Sequence, residues 1–225
     1  MSHYESISYY FPELVMSLKQ TLLMVSIAMG IGGGLGLLIG TQLFLSQMNQ
    51  KKSLSVSYII LNSYVNVIRS FPFLLLVVAL IPMTRWLVGT GFGPIAASVS
   101  LSVVSIAIYA RLVEQVLLDI PVGVLELADC LGVSSWQFVY HFLWLEARSG
   151  LVLSLTSMLI SLVSYSTVMG VVGGGGIGDF AIRYGYQRYE TAVMYTAVTI
   201  MILIVGLIQF IGSFIAKKID KRMDR

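Results

Sequence analysis

The sequence predicts an all-α polytopic membrane protein with five transmembrane helices, and three observations carry that prediction. Hydrophobic residues make up 57% of the 225-residue chain and charged residues only 11%, with a mean hydropathy of +0.87, a balance far from that of soluble domains. Apolar runs nearly free of charge recur at lengths close to the ~20 residues that a helix needs to cross roughly 30 Å of hydrocarbon. The segments between them are too short for a soluble domain, so residues 1–225 are expected to form a single transmembrane unit.

The first run lies between Lys19 and Lys51, with its span at about 20–45, and the second covers Tyr58 to Met83 with Arg69 inside it. A third covers Pro94 to Ala110, a fourth Gly150 to Val172 and a fifth Thr191 to Ala216. Odd parity puts the termini on opposite faces, and the Lys and Arg positions assign the faces. Lys51, Lys52, Arg111, Arg148, Lys217, Lys218, Lys221, Arg222 and Arg225 outweigh Lys19, Arg85, Arg183 and Arg188. The N-terminus is therefore expected outside, and the C-terminus and the loop 119–147 inside. No basic region followed by a short apolar stretch and a cleavage site opens the chain, so no removable signal peptide is expected. Tyr4, Tyr9, Tyr10 and Phe11 instead read as an interfacial aromatic belt.

Within the first span, Gly32, Gly36 and Gly40 place small residues on one face, which allows close approach of a second helix. In the second, Asn62, Asn66 and Arg69 fall at i, i+4 and i+7 and form one polar stripe. An arginine at the bilayer centre costs about 2.5–3.5 kcal/mol on insertion scales, so the stripe should face the bundle or a wet cavity. Pro72, in a continuing helix, would free the Ile68 carbonyl as a local acceptor for that guanidinium. Ser98, Ser102, Ser105 and Tyr109 form a hydroxyl face on the third span; Ser154, Ser157, Ser161 and Ser164 form another on the fourth. Such faces either seal helices together or line a path for a polar solute. The run Val171–Phe180, VVGGGGIGDF, lacks the Lys-Ser or Lys-Thr and the preceding strand of a phosphate loop, and reads as a flexible connection that ends the fourth span.

Chemistry-bearing motifs are absent from the sequence. There is no Walker A pattern, metal-ligand spacing or nucleophile elbow, so neither catalysis nor a bound cofactor or metal is expected. The basic residues are scattered rather than clustered, which argues against nucleic acid. Cys130 is the lone cysteine and cannot form an intrachain disulfide.

The loop from Asp119 to Glu146 carries two helical signals broken at one place. Pro121 suits a first helical position, and Leu125, Ala128 and Leu131 give an apolar face with Glu126 and Asp129 beside it. Gly132 fits a helix end, and Ser134-Ser135-Trp136-Gln137 matches a capping box that starts a second helix. Trp136, Val139, Tyr140 and Leu143 supply the anchors that favour protein interfaces; helices lying on the bilayer surface would show a similar composition.

The order Glu126-Leu127-Ala128, then Gly132, then a helix ending in Leu143-Trp144-Leu145-Glu146-Ala147, resembles the EAA loop of bacterial ABC importer permeases. Glu126, Ala128 and Gly132 match that motif; Leu127 replaces its middle alanine, and Leu145 stands where the family usually has proline. Asn66 to Phe73 (NVIRSFPF), Ile81 to Arg85 (IPMTR), Val88-Gly89-Thr90, Ala110 to Glu114 (ARLVE) and Tyr184-Gly185-Tyr186 are similar to the methionine importer permease subunits in particular.

This resemblance implies a type I ABC importer permease fold in the bacterial plasma membrane. It also implies a homodimer served by two cytoplasmic ATPase subunits, which bind ATP and Mg, and by an extracytoplasmic substrate-binding lipoprotein. Glu126, Ala128, Gly132, Trp136, Val139, Tyr140 and Leu143 would then form the ATPase-coupling loop, acting as a lever on the third and fourth spans. Arg69, Ser157, Ser161, Tyr165 and Met169 are the candidates for the substrate path or its gate. A permease for another solute remains open, as does an ATP-independent carrier, which the polar stripes alone would support. A membrane scaffold that binds partners through the same loop is a third reading.

Overall fold

A computed structural model describes residues 8–48 and 55–220; Tyr4, Lys51, Lys52, Lys221, Arg222 and Arg225, which entered the topology and belt readings, lie outside them. Helix α1 (Phe11–Met48) carries Pro12 in its first turn, where proline is tolerated, and runs for 38 residues, or about 57 Å at 1.5 Å per residue. Its partner is α4 (Pro94–Leu118), and the two share the most extensive helix contact in the molecule. The glycine stripe makes that contact possible. A Cβ at Gly32 would lie 2.1 Å from Ser105 Oγ, one at Gly36 2.9 Å from Tyr109 Cβ, and one at Gly40 2.4 Å from the Ala110 carbonyl oxygen.

The Ser98, Ser102, Ser105 and Tyr109 face of α4 is buried, with Ser105 and Tyr109 packed against α1. Ser102 Oγ donates to the Ser98 carbonyl at 2.6 Å, and Ser105 Oγ donates across to the Ala28 carbonyl at 2.9 Å. This face therefore seals helices and does not line a path. The helix also runs past Ala110 to Leu118, and Arg111 and Glu114 pair at its side.

The second span is not one helix. α2 (Val56–Ser70) and α3 (Phe73–Val88) meet at 120°. Proline disfavours helical backbone at the preceding residue, and Phe71 is extended at φ −78°, ψ 136°. The helix ends there, and the arrangement in which Pro72 would free the Ile68 carbonyl within a continuing helix does not form. Among the described residues four uninterrupted helices are long and apolar enough to cross a membrane, or five if the bent pair counts as one span.

α5 (Val122–Cys130) follows, with Pro121 just before its first residue rather than within it. Gly132 then takes φ +62°, a left-handed conformation that glycine adopts at little cost. The capping box forms as its sequence predicts: Ser134 Oγ accepts from Gln137 N while Gln137 Oε1 accepts from Ser134 N. The helix it starts does not stop before the fourth span. α6 is continuous over Ser135–Val171, its second to third turns wound as a π-helix at Phe138–Leu143. The expected separate loop helix is thus the first part of a single 37-residue rod.

The glycine segment after α6 is packed rather than flexible. It leads into α7 (Gly176–Phe180) and a π-helical continuation, Ala181–Tyr186. Gly176 N donates to Gln20 Oε1 and Ile177 N to Thr21 Oγ1, both at 2.9 Å, so α1 satisfies the buried backbone there. A Cβ at Gly178 would sit 2.2 Å from the Thr167 carbonyl oxygen. Glycine is needed here for close approach to α6, and the expectation of a mobile connection is corrected. α8 (Thr191–Ile219) packs on α6 through Gly212 and Thr156 and leaves most of its apolar surface uncovered.

Candidate functional site

The hairpin of α5 and the start of α6 divides its residues into two sets. Ala128, Val139 and Leu143 are buried and hold the hairpin to the bundle, Val139 and Leu143 within the main apolar core. Trp136 is 70% and Tyr140 54% exposed, their rings parallel with centroids 6.3 Å apart. Glu126, Leu127, Leu131 and Gly132 are exposed beside them. The four positions read from the sequence as interface anchors therefore serve two ends: Val139 and Leu143 fix the hairpin, whereas Trp136 and Tyr140 offer it. The periodicity carries this split, since 139 and 143 lie four apart on one face and 136 and 140 on the next. An exposed apolar patch with aromatic anchors marks a contact surface. Trp144 Nε1 donates to Thr41 Oγ1 at 3.1 Å, tying the root of the hairpin to α1.

The second assembly lies at the α2–α3 break. Arg69, Ser161 and Tyr165 come together in a cleft of roughly 310 Å³, with Phe73, Leu76 and Ile108 among its apolar walls. The Phe73 and Tyr165 rings stack with centroids 4.3 Å apart. Arg69 is exposed to this cleft, and among the described residues no hydrogen bond or ion pair engages its guanidinium. Ser157 lies one turn from Ser161 on the same uncovered face of α6; each hydroxyl donates to the carbonyl four residues back. Met169 is elsewhere. It is buried in the core against α3 and α4, next to the glycine segment whose Gly174 N donates to its carbonyl at 2.8 Å.

Sequence reasoning placed Asn62, Asn66 and Arg69 in one stripe; the structure gives the asparagines to another arginine. Arg111 Nη2 donates to Asn66 Oδ1 at 2.5 Å and to Asn62 Oδ1 at 3.4 Å, while Nη1 pairs with Glu114 Oε2 at 2.6 Å. Gln47 Nε2 donates to the other carboxylate oxygen at 2.5 Å. Glu114 is 1% exposed, and the network joins α1, α2 and α4. The signal that could have found it is the i, i+3 spacing of Arg111 and Glu114, once the third span is carried past Ala110.

At the opposite end of the bundle Arg188 closes an aromatic clamp. Its guanidinium donates to Tyr10 Oη at 3.2 Å and lies 5.0 Å from the Tyr184 ring centroid. The Tyr10 hydrogen bond raises its pKa above the ordinary arginine value. Tyr10 thus anchors the start of α1 to the segment after α7, which is more specific than an aromatic belt.

Comparison with known proteins places these features in a family. Residues 32–225 match the family described as "Binding-protein-dependent transport system inner membrane component". The chain is 41% identical over 212 residues to the "Probable D-methionine transport system permease protein MetI" of Vibrio cholerae, covering 93% of each. It is 37% identical to the "Methionine import system permease protein MetP" of Bacillus subtilis, over 72% of this chain and 73% of that one. Among solved structures it is similar to a chain of the inward-facing MetNI methionine ABC transporter, with a TM-score of 0.88 and 38% identity over 92% of this chain and 96% of that one. The chain belongs to the family of inner membrane components of binding-protein-dependent transport systems.

Proposed function

We propose that this chain is the membrane-spanning subunit of an ATP-driven importer that carries methionine into a bacterial cell. It works as one transmembrane unit within a homodimer, with two cytoplasmic ATPase subunits and an extracytoplasmic binding protein. ATP and Mg belong to the ATPase. The relatives that match along nearly the whole chain are methionine permeases by name, and the Lys and Arg distribution favours an external N-terminus and a cytoplasmic C-terminus and hairpin.

The observation that carries the proposal is the fusion of an exposed docking surface to a helix that reaches the cleft. Glu126, Trp136 and Tyr140 sit on the hairpin; Ser157, Ser161 and Tyr165 sit further along the same α6 that begins at Ser135. Movement of a docked ATPase pair is transmitted along that rod without an intervening loop, and the cleft changes its access. A ligand shifts such an equilibrium only by binding its states differently, so ATP and the loaded binding protein must each favour one of them.

Gly132→Trp tests the lever. A side chain at this left-handed position is strained by roughly 1–2 kcal/mol, and its bulk stands beside the exposed patch. The complex is expected to assemble yet lose stimulation of ATP hydrolysis by the loaded binding protein. Normal coupled uptake by this variant would refute the mechanism, and uptake by the purified chain in liposomes without ATP would establish the carrier reading instead.

A further inference from the structure

We infer that the cleft at the α2–α3 break binds the zwitterionic head of an apolar α-amino acid in transit, with Arg69 taking its carboxylate; the inference rests on the import reading above. Among the described residues lining the cleft, Arg69 is the one ionisable side chain apart from the Tyr165 phenol. The carboxylate of Glu114 is already held by Arg111 and Gln47. An ionisable group left without a protein partner at membrane depth points to a functional partner, and a guanidinium fork matches a carboxylate through two parallel hydrogen bonds.

The remaining walls fit the rest of such a ligand. Ser161 Oγ donates its proton to the Ser157 carbonyl, so its lone pairs face outward and accept from an ammonium group. The stacked Phe73 and Tyr165 rings offer π-faces to a cation, and Leu76 and Ile108 border the space left for an apolar side chain. A thioether is suited to an aromatic-lined wall of this kind. The volume of roughly 310 Å³ is at the small end for ligand sites, which favours a single amino acid.

The test uses the whole complex with its ATPase, in phosphatidylcholine nanodiscs without the binding protein. Bound radiolabelled methionine is competed with unlabelled methionine or with methioninol, which lacks the carboxylate. The wild-type complex is expected to prefer methionine by about tenfold or more, the scale of a charge-assisted pair. Arg69→Gln is expected to bring that ratio near one, and Arg69→Lys to give an intermediate ratio because an ammonium keeps charge but not the fork. An unchanged ratio in Arg69→Gln, or the absence of competable binding by wild type, overturns the inference. So does an Arg69 requirement that appears only for added phosphatidylglycerol, which would assign the guanidinium to lipid phosphate. If Arg69→Gln does not assemble, Arg69→Lys alone decides by the same ratio. Wild-type complex that imports another apolar amino acid through an Arg69-dependent site, and not methionine, would sink the methionine assignment and support the carboxylate site.

Discussion

Removing the Glu114 carboxylate should destabilise the helix bundle more than any other single side-chain change in the α1–α2–α4 junction. The carboxylate accepts from Arg111 and Gln47, Arg111 in turn holds Asn62 and Asn66, and Glu114 itself is 1% exposed. Breaking a buried pair by removing one partner costs about 3–5 kcal/mol, because the other charge stays buried without compensation. Arg111 has 21% of its side chain exposed and two asparagine acceptors, so the lower end, about 3 kcal/mol, applies to Glu114→Ala. At about 2–4 °C per kcal/mol for a chain of this size, the apparent Tm should fall by about 6–12 °C. The assay is thermal unfolding of the detergent-purified complex, followed by intrinsic fluorescence, in a double-mutant cycle with Arg111→Met. The double variant should lose clearly less than the sum of the single losses. Additive losses, or a fall of under about 2 °C in Glu114→Ala, would show that the network does not hold the three helices together.

Two further outcomes follow from the geometry. Gly32→Val adds a Cβ where Ser105 Oγ is 2.1 Å away; α1 must separate from α4 or Ser105 must turn from the Ala28 carbonyl. Overpacking of this kind costs roughly 1–3 kcal/mol, which thermal unfolding reads directly, and an unchanged Tm would contradict the close contact. Trp136→Ala and Tyr140→Ala remove exposed rings that the bundle does not need. Each is expected to weaken capture of the ATPase subunit by about 2 kcal/mol, near thirtyfold in Kd, while the Tm of the chain in the absence of ATPase stays put; wild-type affinity in both would remove the hairpin from the interface.

Local features of the chain were legible where one helix turn or one face contained the whole physical reason. The stripe of Gly32, Gly36 and Gly40 implied a close helix neighbour, and α4 occupies that place. Ser134, Gln137 and Gly132 specified a helix start and a helix end, because capping and left-handed backbone involve only adjacent residues. The candidate cleft was legible in part: Arg69, Ser161 and Tyr165 meet there, but Met169 is buried in the core. A period of three to four residues names a face of a helix and leaves open which neighbour covers it.

Sequence by itself determined that this protein lives in a bilayer as a helical bundle, since composition and the length of its apolar runs leave the backbone no other way to satisfy its hydrogen bonds there. It also determined where the hairpin turns. Only the tertiary structure decided that Asn66 serves Arg111 across 45 residues, that Gln20 and Thr21 hold the glycine segment across 156, and that Arg69 is left to face an open cleft. The physical reason is that these partners meet through packing of separate helices, while local pattern constrains only residues within reach of one another along a single helix.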